Sequence, residues 1–77
     1  MTTRREALVR ARKRLGLSQA AVAERVGITQ QHYSAIELGL RKPALDVALR
    51  IAQVLRADPV RLFGDVLEHG NTSEASA

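Results

Sequence analysis

Glycines at positions 16, 27, 39, 64 and 70 and prolines at 43 and 59 interrupt the chain so often that no long regular element can form, because these residue types are the least compatible with a helix or strand interior. Five short segments lie between the interruptions. In each, apolar side chains recur at helical spacing, and none alternates with a strand's period of two. The first, about residues 3–14, carries Leu8, Ala11 and Leu15 and stops at Gly16. Ser18 and Thr29 are natural N-caps for a second, about 18–25, and a third, about 29–37, which stop at Gly27 and Gly39. Pro43 precedes a fourth, about 44–56, with Leu45, Ala48, Leu49, Ala52 and Leu55 in one stripe. Asp58 and Pro59 open a fifth, about 59–68, carrying Val60, Phe63, Val66 and Leu67. The expected fold is all-α, a compact five-helix bundle over residues 1–69, followed by a disordered polar tail at 70–77.

A chain of 77 residues has material for one core and one domain. A unit this small buries only about 60% of the surface its unfolded chain exposes, which leaves little room for the deep pocket most catalysis needs. Cysteine is absent, so disulfides, thiolate zinc sites and thiol nucleophiles are excluded. The carboxylates are scattered and the two histidines, His32 and His69, stand far apart, so neither a triad nor a metal-ligand spacing arises. The expectation is a protein that is not an enzyme and carries no cofactor or metal. Apolar runs reach only three or four residues, against about 20 for a membrane span. No apolar stretch of a secretory signal follows Arg4 and Arg5, so a cytoplasmic protein with no membrane association is expected.

Charge is distributed unevenly. The 12 basic and 8 acidic side chains give a net +4, yet residues 1–42 alone balance at +6 and the remainder at −2. A basic front half fits a polyanionic partner, nucleic acid ahead of a membrane surface, but a solvated charge run on the first helix explains it equally well. The punctuation decides. Two short helices joined by a glycine-containing turn form a helix-turn-helix, which presents its second helix to the DNA major groove. Ala23 is small where the two helices would cross, and Gly27 permits the left-handed backbone of a tight turn.

On these residues the chain resembles the Cro/repressor-like, or XRE, helix-turn-helix family. The resemblance spans about residues 7–63 and rests on Leu17-Ser18-Gln19, Val22-Ala23, Gly27-Ile28-Thr29, Tyr33-Ser34-Ala35-Ile36-Glu37, Gly39, Arg41 and Pro43. It implies a five-helix bundle of the lambda-repressor-like type, in which helices 2 and 3 form the motif. It also implies a homodimer on double-stranded DNA, with helix 3 in the major groove. Gln30 and Gln31 open that helix as candidate base readers, since glutamine can bond adenine bidentately, with His32 and Ser34 next. Gln19, Arg10, Lys13, Arg14, Arg41 and Lys42 are candidate phosphate contacts. By the same resemblance Arg12 and Glu37 form a structural salt bridge. Ala44 departs from the family pattern, which often has serine or threonine before the fourth helix. Leu38 and Leu40 also depart, and read as local packing ahead of contact with a thymine methyl.

The function these readings support is a sequence-specific transcriptional regulator, a repressor on a pseudo-palindromic operator. A restriction-modification controller, an antitoxin-type autoregulator and, in a different class, a protein-interaction module with a protein partner are the alternatives. The fifth-helix residues Val60, Phe63, Val66 and Leu67 either build the dimer interface or close the core of a single chain.

Overall fold

The computed structural model describes the backbone of residues 4–76 and the side chains of residues 4–67. The side chains of His69 and the tail lie outside the described residues, but the backbone of the last helix continues to Ser76, past Gly64 and Gly70, where the sequence predicts a helix end near residue 68 and a disordered tail from residue 70. Five helices run in order, α1 (Glu6–Arg14), α2 (Gln19–Val26), α3 (Gln30–Glu37), α4 (Leu45–Leu55) and α5 (Pro59–Ser76), and no strand occurs among the described residues. The fold is all-α.

Local chemistry sets the boundaries. The Ser18 hydroxyl accepts from the Ala21 N–H at 3.0 Å and the Thr29 hydroxyl from the His32 N–H at 3.0 Å, so α2 and α3 each begin on a side-chain cap. Asp58 caps α5 by accepting from the Val60 N–H at 3.0 Å. Ala44 holds cap-like backbone angles, φ −62° and ψ 156°, but offers no side-chain acceptor. Ala44→Ser is accordingly expected to stabilise the fold by about 1 kcal/mol, read as a higher urea midpoint at unchanged slope.

The core is assembled from all five helices: Leu8 and Ala11, then Val22, Ala23 and Val26, then Tyr33 and Ile36, then five residues of α4, then Leu62 and Phe63. Three details differ from the expectation. In α1, Val9 is buried while Leu15 is exposed. In α4 the inward stripe is Val47, Ala48, Ile51, Ala52 and Leu55, and Leu45 and Leu49 point outward. The helix is apolar on two adjoining faces, so periodicity alone admits either register, and packing against α2 and α5 selects the one centred on Ile51. In α5 the backbone kinks at Phe63 (φ −136°, ψ 37°).

That kink bears on the expected interface. Phe63 is 0% exposed in a single chain and Leu62 is buried beside it, so Phe63 closes the core and offers no surface to a second copy. Val66 packs partly against the same core, Leu67 is half-buried, and of the four only Val60 stands open. Arg5, just ahead of α1, fastens this region. Its guanidinium donates to both carboxylate oxygens of Asp65 at 2.8 and 3.0 Å and lies 5.3 Å from the centre of the Phe63 ring. Its backbone N–H donates to the Glu37 carbonyl at 2.8 Å. Arg5 thus ties the end of α3 to α5, and draws the Asp65 carboxyl below its ordinary range chiefly by hydrogen bonding.

Candidate nucleic-acid interface

The turn between α2 and α3 is built on Gly27, whose φ of 89° and ψ of 30° lie in the left-handed region. There the N–H groups of Gly27 and Ile28 both reach the Ala23 carbonyl, at 2.8 and 3.0 Å. Ala23 itself is buried at the crossing of the two helices, so the pair is held close and at a fixed angle. At the far end of α3, Leu40 N–H donates to the Ala35 carbonyl and Gly39 N–H to that of Ile36. This Schellman arrangement, with Gly39 at φ 76°, ends the helix and throws the chain into the loop that carries Arg41 and Lys42.

With α3 fixed, its faces follow from about 100° of rotation per residue. Tyr33, Ile36 and Glu37 are buried. Gln31 is exposed on the opposite side, Gln30, seven residues before Glu37 and so in line with it, is exposed in the first turn, and Ser34 is half-buried one turn further on. His32 is half-buried and, two residues before Ser34, falls on the other flank of the helix. Leu38, four residues after Ser34, continues the outward face and is exposed, as is Leu40, so neither packs locally as the sequence suggested. The outward surface is therefore Gln31 and Ser34 continued by Leu38, with Gln30 and His32 on its two flanks. Arg41 and Lys42 are exposed beside it.

Beneath this surface lies a buried polar network. The Arg12 Nε donates to Glu37 Oε2 at 2.6 Å, its Nη2 to Glu37 Oε1 at 3.2 Å, and its Nη1 to the Leu17 carbonyl at 2.9 Å. Gln19 Nε2 donates to Glu37 Oε1 at 2.9 Å. Because a carboxylate only accepts, the Gln19 amide must present its NH2 group here. Gln19 is thereby engaged with Glu37, whereas the resemblance assigned it to a phosphate. Glu37 is only 3% exposed. Burial alone would raise its pKa, but the hydrogen bonds from Arg12 and Gln19 outweigh that cost and hold the carboxyl below its ordinary value. The neighbouring Tyr33 hydroxyl is pushed well above its ordinary range, first by burial and then by the Glu37 carboxylate. It therefore remains neutral. One ion pair thus joins α1, the turn before α2, the first residue of α2 and the last of α3.

The other basic residues separate into different places. Arg10 and Arg14 lie two positions either side of Arg12 and so point away from α3; they line a cleft formed with Arg56 and Arg61 at the α4–α5 turn. Charge count could not reveal this, since the rotation of α1 is set by burial of Leu8, Val9 and Ala11 together with the Arg12–Glu37 pair. Lys13 is exposed near the end of α1. Among the described residues no group of three or more His, Asp or Glu side chains is placed to hold a metal ion, and no helix is long and apolar enough to cross a membrane.

Comparison with known proteins decides the family. A family model described as Helix-turn-helix matches residues 8–62, well over half of the chain. The chain belongs to this XRE-type helix-turn-helix family. Its members are DNA-binding transcriptional regulators. An uncharacterized HTH-type transcriptional regulator of Methanothermobacter thermautotrophicus is 52% identical over 44 residues, covering 57% of this chain and 64% of the relative. One from Mycobacterium tuberculosis is 38% identical over 60 residues, covering 75% of this chain and 43% of the relative. The chain thus spans less than two thirds of the length of these relatives. Among solved structures, the restriction-modification controller protein C.AhdI from Aeromonas hydrophila superposes with a TM-score of 0.69 at 31% identity, over 75% of this chain and 88% of that one.

Proposed function

We propose that this helix-turn-helix protein is a sequence-specific repressor that occupies a two-fold symmetric operator as a homodimer, with α3 in the major groove. The observation that carries the reading is the exposed first turn of α3, where Gln30 and Gln31 stand free of every intramolecular hydrogen bond among the described residues while the helix beneath them is fixed by the Glu37 network. Gln30 and Gln31 read base edges and Ser34 assists. His32, on the flank, is a secondary contact. Arg41 and Lys42 hold the backbone and set the register without reading sequence. Lys13 adds a peripheral phosphate contact, and Gln19 acts by orienting Glu37.

The dimer is proposed on the α4–α5 side. Leu45 and Leu49, one turn apart on α4, are 55% and 44% exposed, and Val60 is 60% exposed. Leu49 and Pro59 border an open cleft of about 610 Å3 between α4 and the start of α5. Leu45 and Leu49, adjacent on one exposed strip of α4 beside this cleft, form the kind of contiguous apolar surface that favours association. Val60 is shared with the interface expected from sequence, while Leu45 and Leu49 take the place of Phe63. Leu49→Glu is expected to leave the helical content intact, because the residue is outside the core, and to shift the sedimenting mass to that of a monomer. An unchanged mass would remove this surface from the interface.

A protein neutralising about six phosphates loses roughly a thousandfold in affinity between 50 and 200 mM salt through counterion release. Fluorescence anisotropy on labelled duplexes tests this, and Lys42→Ala is expected to weaken all sequences alike with a shallower salt slope. A flat salt response would favour a protein-interaction role. A restriction-modification controller is the second reading, favoured by the superposition with such a protein over 88% of its length.

A further inference from the structure

We propose that the cleft between α1, the α4–α5 turn and α5 binds a small phosphorylated ligand that presents at least two phosphate groups. Arg10 and Arg14 reach it from α1, Arg56 from the turn and Arg61 from α5, around a volume of about 250 Å3. The cleft is large enough to admit a diphosphate group. The acidic side chain in the lining is Asp58, and its carboxylate is already occupied as the cap of α5. None of the four arginines makes an ion pair or a side-chain hydrogen bond among the described residues. Four guanidinium groups line one concavity against the single carboxylate of Asp58, which leaves positive charge in excess, and phosphate is the group whose oxygens match their planar forks.

The backbone supplies a second, independent observation. The turns after α1, α2 and α3 each place a glycine at positive φ: Gly16, Gly27 and Gly39. At the end of α4 the same geometry recurs, with Arg56 N–H donating to the Gln53 carbonyl and Ala57 N–H to that of Ala52. There the left-handed position, φ 54°, is held by Arg56, the one residue other than glycine with positive φ among those described. An arginine gains nothing from that conformation and is strained by it, so its side chain is what the position keeps. No residue of α2 or α3 lines the cleft. Its occupant therefore leaves the outward face of α3 free.

Calorimetric titration of the full chain at about 50 mM salt tests the assignment, with pyrophosphate, adenosine triphosphate and orthophosphate as separate probes. Pyrophosphate and the nucleotide are expected to bind alike, and orthophosphate at least about tenfold more weakly, because it engages fewer guanidinium groups. Arg56→Gly is the decisive variant. Glycine relieves the left-handed backbone, so its thermal midpoint is expected to equal or exceed that of the natural chain while pyrophosphate affinity falls about tenfold. Arg14→Gln with Arg61→Gln is expected to lose at least as much, with affinity for a random-sequence duplex unchanged within about twofold. The proposal is overturned if pyrophosphate does not bind, if both variants bind it undiminished, or if only the nucleotide binds. It is equally overturned if duplex affinity falls in step with pyrophosphate affinity, since these arginines would then serve the DNA backbone.

Discussion

Replacing Glu37 by alanine is expected to cost about 3–5 kcal/mol, a large share of the stability of a domain this size, because Arg12 is then left buried with its charge uncompensated. The two side chains are 4% and 12% exposed, so water replaces the lost carboxylate only poorly as a partner for the guanidinium. Urea denaturation followed by circular dichroism measures the loss. Substituting both partners, Arg12→Met with Glu37→Leu, is expected to cost much less than the two single changes together, since no orphaned charge remains. A double variant as unstable as the sum of the singles would show that packing, and not the ion pair, holds this junction.

The same carboxylate sets an acid limit. Its folded pKa lies below the ordinary value, so the folded state binds fewer protons than the unfolded state in that range. The pair's contribution is complete above the unfolded value of about 4.3 and disappears as pH falls through the lower folded value. Asp65, drawn down by Arg5, adds a smaller effect of the same sign from its more exposed site. Thermal midpoints from pH 6 to pH 3 are expected to fall for the natural chain and to fall less steeply for Glu37→Gln. Parallel curves would remove Glu37 from the linkage. Because Glu37 ends α3 and holds Gln19, weak DNA binding by a Glu37 variant reports a loosened reading helix and not a lost base contact.

The second large effect is expected at the operator. Gln30→Ala combined with Gln31→Ala removes the two amides proposed to read base edges, each worth about 1–3 kcal/mol of discrimination, so preference for the proposed operator over a scrambled duplex should collapse by at least about thirtyfold. Stability should hardly change, since both side chains are exposed and carry no intramolecular hydrogen bond among the described residues. Anisotropy titrations against both duplexes separate the two quantities. A uniform loss on operator and scrambled DNA would make these glutamines positioning residues.

Much of the fold is legible in local chemistry. Ser18, Thr29 and Asp58 announce helix starts by their hydroxyl and carboxyl acceptors, and Gly27 and Gly39 announce ends by a backbone that other residues avoid. Such signals are read within four residues of chain. What the sequence hides is set by partners distant in sequence. Leu45 and Leu49 fit an inward stripe as well as Val47 and Ile51 do, and only the positions of α2 and α5 reject them. Phe63 belongs to an apolar run that suits an interface as well as a core, and the folded chain buries its ring completely, at a kink in α5. The pairing of Arg12 with Glu37 joins residues 25 positions apart, a separation no spacing rule reaches, and the family resemblance supplied it. Arg5 carried no signal beyond charge, yet it holds α5 to the end of α3. The orientation of Arg10 and Arg14 follows from that of Arg12 and was invisible before it.

Selection of bound duplexes from a randomised DNA library, with the purified chain at about 150 mM salt where weak exposed charge contacts are screened, shows whether the chain reads DNA sequence as a dimer. An inverted repeat is expected to be enriched, with half-sites centred about 10 base pairs apart, the spacing of one helical turn that a two-fold dimer of α3 helices spans. Recovery of a library with no enriched sequence would contradict a dimer that reads sequence.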